Sequence, residues 1–276
     1  MHVVTTTGII GDVAKRIAGP HARIESLMGP GVDPHLFKAS ESDVRRLSEA
    51  DLVLYNGLHL EGKMGDILTK MARSRPVIAV SEEIPEKLLR EPPEFLGQHD
   101  PHVWFDVSMW VKTLGPIARE LSALDPEHAE EFKANATALE KELNELDAWV
   151  EAQILTIPEP HRILVTAHDA FGYFGRRYGM QVVGIQGIST LSEAGLKDVD
   201  RVVSLVVDRK VPAIFIESSV PRRSIEAVQA AVRSRGHEAA IGGQLYSDSL
   251  GAAGSPAGTY TGMVRANVAT IVNALK

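Results

Sequence analysis

Val165-Thr-Ala-His-Asp-Ala-Phe-Gly-Tyr-Phe174 begins as an apolar strand and reaches His168 and Asp169 where the chain should turn into a helix. A histidine at the carboxyl end of a strand in an α/β sheet stands where such folds bind ligands. Around this stretch, strands are expected over 162–167, 181–185, 212–217 and 238–241. Helices are expected over 171–178, 193–209, 224–236 and 259–275. The loop 242–248 follows the last strand and ends on Asp248.

The first half follows the same plan. Strands are read over 2–6, 22–28, 51–55 and 76–80. A helix carries Ile10, Val13 and Ile17, and others cover 40–50 and 64–71. Ser40 is a plausible N-cap, with Asp43 three residues on. Strands alternating with helices of this length form a doubly wound parallel unit. Two glycines and two prolines force the loop Gly29-Pro-Gly-Val-Asp-Pro-His35. Residues 84–101 hold four prolines and Gly97 and deliver Asp100-Pro-His102. Residues 107–121 are mostly helical, with Gly115-Pro116 expected to kink or interrupt them.

Between the halves, the segment from Pro126 to about Thr156 is rich in Glu, Ala, Lys and Leu. Pro126 suits the first helical position, with Asp125 as cap. Phe132, Ala136, Leu139, Leu143, Leu146 and Val150 form one apolar stripe, and Pro158 and Pro160 end it. The fold class is therefore α/β: two doubly wound lobes joined by one long backbone helix, with a metal site in the interlobe cleft. The expected division is 1–124, 125–157 and 158–276.

Composition narrows the function. The chain has 276 residues, 44% hydrophobic and 24% charged, as in a soluble globular protein. A net charge of -7 disfavours nucleic acid as partner. There are no cysteines, which removes disulfides, thiolate ligands and cysteine nucleophiles together. No signal peptide is read, and an exported origin stays open because Met1 can be a start residue added to a mature form.

His35, His102, His168 and Asp248 each follow a strand or loop on the same edge of a sheet, two from each half. Two lobes facing each other would bring them into one cleft. Three imidazoles and a carboxylate suit Zn²⁺, and a bidentate aspartate opens the site to Mn²⁺. The four are between 66 and 80 residues apart by their numbering, so spacing carries little weight. The repeated Asp33-Pro-His35 and Asp100-Pro-His102 triplets are more telling, because proline stiffens each approach. Any one of the ten histidines is more often a surface or core residue than a ligand. His21, His128, His161 and His237 read as solvated; His59 and His99 stay open as cleft residues. Glu217 and Asn56, each at a strand end, are candidates for fixing the ring tautomers.

Five motifs then carry a resemblance: Gly29–His35, Tyr55-Asn-Gly-Leu-His-Leu-Glu61, Asp100-Pro-His-Val-Trp-Phe-Asp106, Val165–Phe171 and Ile216-Glu-Ser-Ser219. In that order, over nearly the whole chain, they resemble the metal-binding solute receptors of bacterial ABC importers, in the TroA-like branch. The resemblance implies a metal buried between two lobes, with ligands at His35, His102, His168 and Asp248. It implies a periplasmic or otherwise extracytoplasmic receptor, monomeric, that captures Zn²⁺ or Mn²⁺ for a membrane permease with its cytoplasmic ATPase. Manganese-specialised members tend to carry Glu at the position of His168. Zinc-specialised members usually carry a long His- and acid-rich loop after the third strand, where this chain has only Leu-Glu-Gly-Lys-Met. A zinc-dependent hydrolase using the same ligands is the alternative, with Glu217 as its one obvious base. A receptor for a small organic solute has little support from an aromatic content of 5%.

Overall fold

Val3, Val4, Thr5 and Thr6 form a β-branched run, which favours an extended backbone and fits a strand buried on both faces. They lie in β1 (His2–Thr7), wholly buried from Val3 onward. The computed structural model describes residues 1–95 and 97–276. After β1 come α1 (Gly8–Ala18), β2 (Arg23–Met28), α2 (Glu41–Glu49), β3 (Leu52–Tyr55), α3 (Gly65–Met71) and β4 (Val77–Ala79). The four strands form one parallel sheet in the order β2-β1-β3-β4. Thr7 caps α1 by accepting from the Ile10 amide at 3.4 Å. Ser40 and Asp43 cap α2 reciprocally, at 3.2 and 2.8 Å, the arrangement their spacing predicts.

Two short helices follow the proline-rich loop, α4 (Val107–Trp110) and α5 (Leu114–Leu124), separated by a 3-10 turn over Val111–Thr113. The expected interruption thus falls just ahead of Gly115-Pro116. Proline removes an amide donor and crowds the preceding turn, which tightens instead of continuing as α-helix.

The connecting helix α6 (Ala129–Ile154) is 26 residues long, about 39 Å at 1.5 Å per residue. It starts three residues later than the proline suggests, because Pro126–His128 forms a 3-10 turn. Asp125 does not cap a backbone amide there; its carboxylate meets His128 Nδ1 at 2.8 Å. Phe132, Leu139, Leu143, Leu146, Val150 and Ile154 are buried along one face. Each such burial contributes about 1.5–3 kcal/mol. Polar ties fix the helix to both halves. Glu142 Oε1 accepts from Arg16 of α1 at 2.9 Å. The same oxygen accepts from the Thr261 hydroxyl at 2.9 Å.

The second half runs β5 (Ile163–His168), α7 (Gly172–Tyr178), β6 (Gln181–Gln186), α8 (Leu196–Asp208), β7 (Ala213–Glu217), α9 (Arg223–Ser234), β8 (Ala240–Leu245) and α10 (Tyr260–Leu275). Parallel ladders join β5 to β6 and β7 to β8. β5 lies beside β7, so the spatial order β6-β5-β7-β8 repeats that of the first half. Among the described residues no ladder joins β5 to β7. A shared detail marks the repeat: the Thr5 hydroxyl donates to the Thr7 carbonyl at 3.0 Å, and Thr166 to that of His168 at 2.8 Å. His168 therefore occupies the place that Thr7 holds in the first half.

Two further boundaries, both in the second half, differ from the sequence reading by more than two residues. α8 starts at Leu196, after Gly195, whose amide donates to Asp198 at 3.0 Å. β8 extends through Gly242 and Gly243, residues that read as loop. A side chain at Gly242 would place its Cβ 2.6 Å from Phe215 Cε1 and 2.8 Å from Ala274 Cβ. These glycines let the strand pass under α10, and the β7–β8 register shifts between Ile214 and Ile216. The largest core cluster runs through both halves, with Phe105 stacked on Phe171 at 4.1 Å between centroids.

Candidate metal centre

His35, His102, His168 and Asp248 meet between the halves, at the carboxyl ends of the strands. One nitrogen or oxygen from each lies within 4.8 Å of the others. None is more than 2% exposed. The Nε2 atoms of His35 and His102 are 3.3 Å apart. Asp248 places Oδ1 3.4 Å from His102 Nε2 and Oδ2 3.4 Å from His168 Nε2. A tetrahedron with bonds of about 2.1 Å, the usual Zn–N and Zn–O length, has edges of about 3.4 Å. Three of the donor separations are thus close to those around a small divalent transition metal, and the whole set closes to within 4.8 Å.

The Asp-Pro-His triplets explain how two of the rings are aimed. Asp33 Oδ1 accepts the amide of His35 at 2.8 Å, and Asp100 Oδ1 accepts that of His102 at 3.0 Å. Each is an aspartate turn with proline fixing the middle residue. Asp100 Oδ1 also meets His102 Nδ1 at 2.8 Å. His168 is held by Glu217, whose Oε1 takes its amide at 2.9 Å and whose Oε2 meets Nδ1 at 2.6 Å. An ionised carboxylate only accepts, so Nδ1 of both rings carries a proton and each Nε2 is turned toward the cluster, where it can bind a metal once it has given up any proton of its own. Ser219 donates to Asp248 Oδ2 at 3.0 Å. His168 Nε2 and Asp248 Oδ1 are buried without a hydrogen-bond partner. Orphaned buried groups of this kind are costly unless a cation completes them.

Charge within the cluster is complementary. Burial pushes the His35 ring down to about 3, outweighing the pull of Asp248, so it stays neutral. Burial also opposes charge on His168, but Glu217 and Asp248 outweigh it and hold the ring well above the ordinary histidine value. His102 is raised in the same way against burial, by Asp100 and Asp248. Burial would raise the Asp248 carboxyl, yet His168 and His102 hold it well below the usual range.

Asn56 is close to the centre but touches no ring. Its amide donates to the carbonyls of Gly57 and Pro101 at 3.1 and 3.0 Å, bracing the turn that presents His102. Asp100 does for His102 what Glu217 does for His168; the repeated triplet was the signal for it. Glu61 is buried beneath the same loop and accepts from Thr6 Oγ1 and the Asn56 amide, each at 2.7 Å. His59 is exposed and lines a separate cavity with Tyr55, Glu82 and His99. His21, His128, His161 and His237 are half-buried away from the cluster, each against a carboxylate or a carbonyl.

The profile of a family described as "Zinc-uptake complex component A periplasmic" matches residues 3–274. The chain belongs to that family. It is 50% identical to the zinc-binding protein TroA of Treponema pallidum, over 99% of this chain and 88% of that protein. It is 48% identical to the manganese-binding lipoprotein MntA of Bacillus subtilis, over 100% of this chain and 90% of that one. The solved structure of the periplasmic zinc-binding protein TroA from Treponema pallidum superposes with a TM-score of 0.97 at 49% identity, covering 99% of this chain and 98% of that one. A zinc-binding and a manganese-binding relative thus stand at nearly equal identity. The family is one of metal-binding transport receptors, not of enzymes.

Proposed function

We propose that this chain captures one Zn²⁺ or Mn²⁺ ion outside the cytoplasm and delivers it to the permease of an ABC importer driven by a cytoplasmic ATPase. His35, His102, His168 and Asp248 are the ligands, and the ion is cargo. The observation that carries this reading is four buried donors, two from each half, with one atom of each within 4.8 Å of the others. A shell closed by four protein ligands favours capture over hydrolysis, which needs an open position for water. Glu217 has both oxygens engaged by His168, so it is not free to act as a base.

Three imidazoles favour Zn²⁺ over Mn²⁺ by affinity. The inward aim of both Asp248 oxygens supplies a fifth donor that suits Mn²⁺. The division 1–124, 125–157 and 158–276, a monomeric state and an exported, membrane-associated location belong to the same proposal. No helix among the described residues is long and apolar enough to cross a membrane; an anchor outside those helices would hold the receptor near its permease.

The test is a titration of the stripped protein with each metal. One equivalent should bind with micromolar or tighter affinity, more tightly for Zn²⁺. His168→Ala should weaken binding sharply, while His237→Ala should leave it unchanged. Equal affinities in the two variants would count against this ligand set.

A further inference from the structure

Arg90 lies in the proline-rich loop of the first half, and its side chain crosses to the second. Nη1 bonds Asp100 Oδ2. Nη2 lies 3.9 Å from Asp169 Oδ2, in the residue that follows His168. The guanidinium rests on Gly172 at the start of α7: a Cβ there would fall 1.3 Å from Nη1 and 2.1 Å from Cζ. Cζ also lies 5.7 Å from the ring centre of Tyr173. The backbone is tied at the same point, since the Arg90 amide donates to Tyr173 Oη at 3.0 Å and Tyr173 Oη donates to the Asp100 carbonyl at 2.9 Å.

Asp100 is fully buried and divides its oxygens. Oδ1 holds the amide and Nδ1 of His102; Oδ2 takes Arg90. The guanidinium therefore bridges the carboxylate that aims one ligand and the turn that carries another. Other bonds cross between the halves near the site: Thr190 to Asp33 at 2.6 Å, Gly31 to Ser249 at 2.9 Å and Trp104 Nε1 to the Ser247 carbonyl at 2.9 Å. These are single hydrogen bonds from neutral donors; Arg176 of α7 also crosses, to the Leu88 carbonyl at 2.6 Å, but it meets no carboxylate that holds a ligand ring. Arg90 supplies a charge and a fork, is only 23% exposed, and sits at the rim of the site.

We propose that Arg90 is a positioning residue that latches the two halves over the bound ion and sets the rate of its release. The four donors are buried, so the ion leaves only when the turns bearing them part. Parting the turns at His102 and His168 pulls the guanidinium from Gly172 and Asp169. Gly172 is the seat of the latch, kept bare because any side chain would evict the guanidinium. The proposal rests on the metal-capture reading above.

The experiment loads the protein with one equivalent of Zn²⁺ and measures release into excess chelator by stopped flow. Arg90→Met keeps the length of the side chain and removes the charge. Gly172→Ala retains the arginine but fills its seat and displaces the guanidinium. Each should release the ion about fivefold faster than wild type, the upper scale of one lost, partly exposed ion pair, with stoichiometry still one. Arg90→Lys should fall between, because it keeps the charge without the fork. The double variant should be no faster than the faster single one, since both changes break one contact. Release within twofold of wild type in Arg90→Met overturns the latch, as do rate increases that multiply in the double variant. If Gly172→Ala does not fold, the Met and Lys variants decide: equal rates overturn the proposal and a graded order supports it. Failure of the wild type to take up one Zn²⁺ is a separate result and would sink the capture reading itself.

Discussion

Glu217 grips His168 twice, its Oε1 on the backbone amide at 2.9 Å and its Oε2 on Nδ1 at 2.6 Å. One side chain thus sets both where the ring is and which of its nitrogens is free. Glu217→Gln offers one acceptor and one donor to two donors, so one contact must break. Metal affinity should fall roughly 10- to 100-fold, the usual cost of losing such a partner. Competition with a chelator of known affinity measures this. An unchanged affinity would show that the tautomer of His168 does not depend on Glu217.

Metal uptake should expel protons. His168 and His102 are held above the ordinary histidine value, against burial, by their carboxylate partners. Any proton these rings hold at Nε2 must be displaced by an incoming cation. His35, already neutral with its ring at about 3, contributes none. Affinity should therefore rise with pH through the neutral range and weaken on acidification. Roughly one to two protons should be released per ion at pH 7. Calorimetry in buffers of different ionisation enthalpy counts them; zero release would contradict these charge states.

Gly184 tests whether strand packing alone can disturb the centre. It pairs with Thr166, and a Cβ at this site would lie 2.5 Å from the Asp169 amide and 2.8 Å from the His168 carbonyl carbon. Both contacts are backbone, which cannot swing aside. Gly184→Ala should cost about 1–3 kcal/mol of stability by overpacking, and it should weaken metal binding without touching a ligand. Thermal unfolding with and without metal separates the two effects. A variant as stable and as tight as wild type would mean that β5 moves freely.

Asp147 should do the reverse. It is buried on α6, accepts from Tyr178 Oη at 2.8 Å and bonds Arg177, both in α7. Asp147→Ala leaves a buried hydroxyl without its acceptor, costing about 1–3 kcal/mol. The melting temperature should drop while metal affinity per folded molecule stays the same. A large loss of affinity would mean that the connecting helix helps to aim His168.

The alternation of strands and helices was legible because apolar runs and breakers mark it directly. His168 at a strand end, with His35, His102 and Asp248 in loops beyond strand ends, follows from the rule that parallel sheets present one edge. What escaped was whatever depends on the path of a loop. Asp100 reads as part of a turn motif, and that its second oxygen serves Arg90 depends on the tertiary path of the loop. Asn56 stood at a strand end as Glu217 does, yet its amide turns toward Pro101 instead of a ring. Gly242 and Gly243 read as loop since glycine is a poor strand former; the reason for them, the nearness of Phe215 and Ala274, is tertiary.

The apolar core that joins the halves through Phe105 and Phe171 limits how this protein can report its own state. Fluorophores placed on the outer ends of the two halves would change separation little when the ion enters. The informative signal is local: amide hydrogen exchange around residues 31–35, 100–106 and 247–249 should slow on loading while the rest of the chain exchanges as before. On the delivery reading proposed above, a permease is expected to sense the loaded form through the stiffness of a few loops at the rim more than through a change of outline.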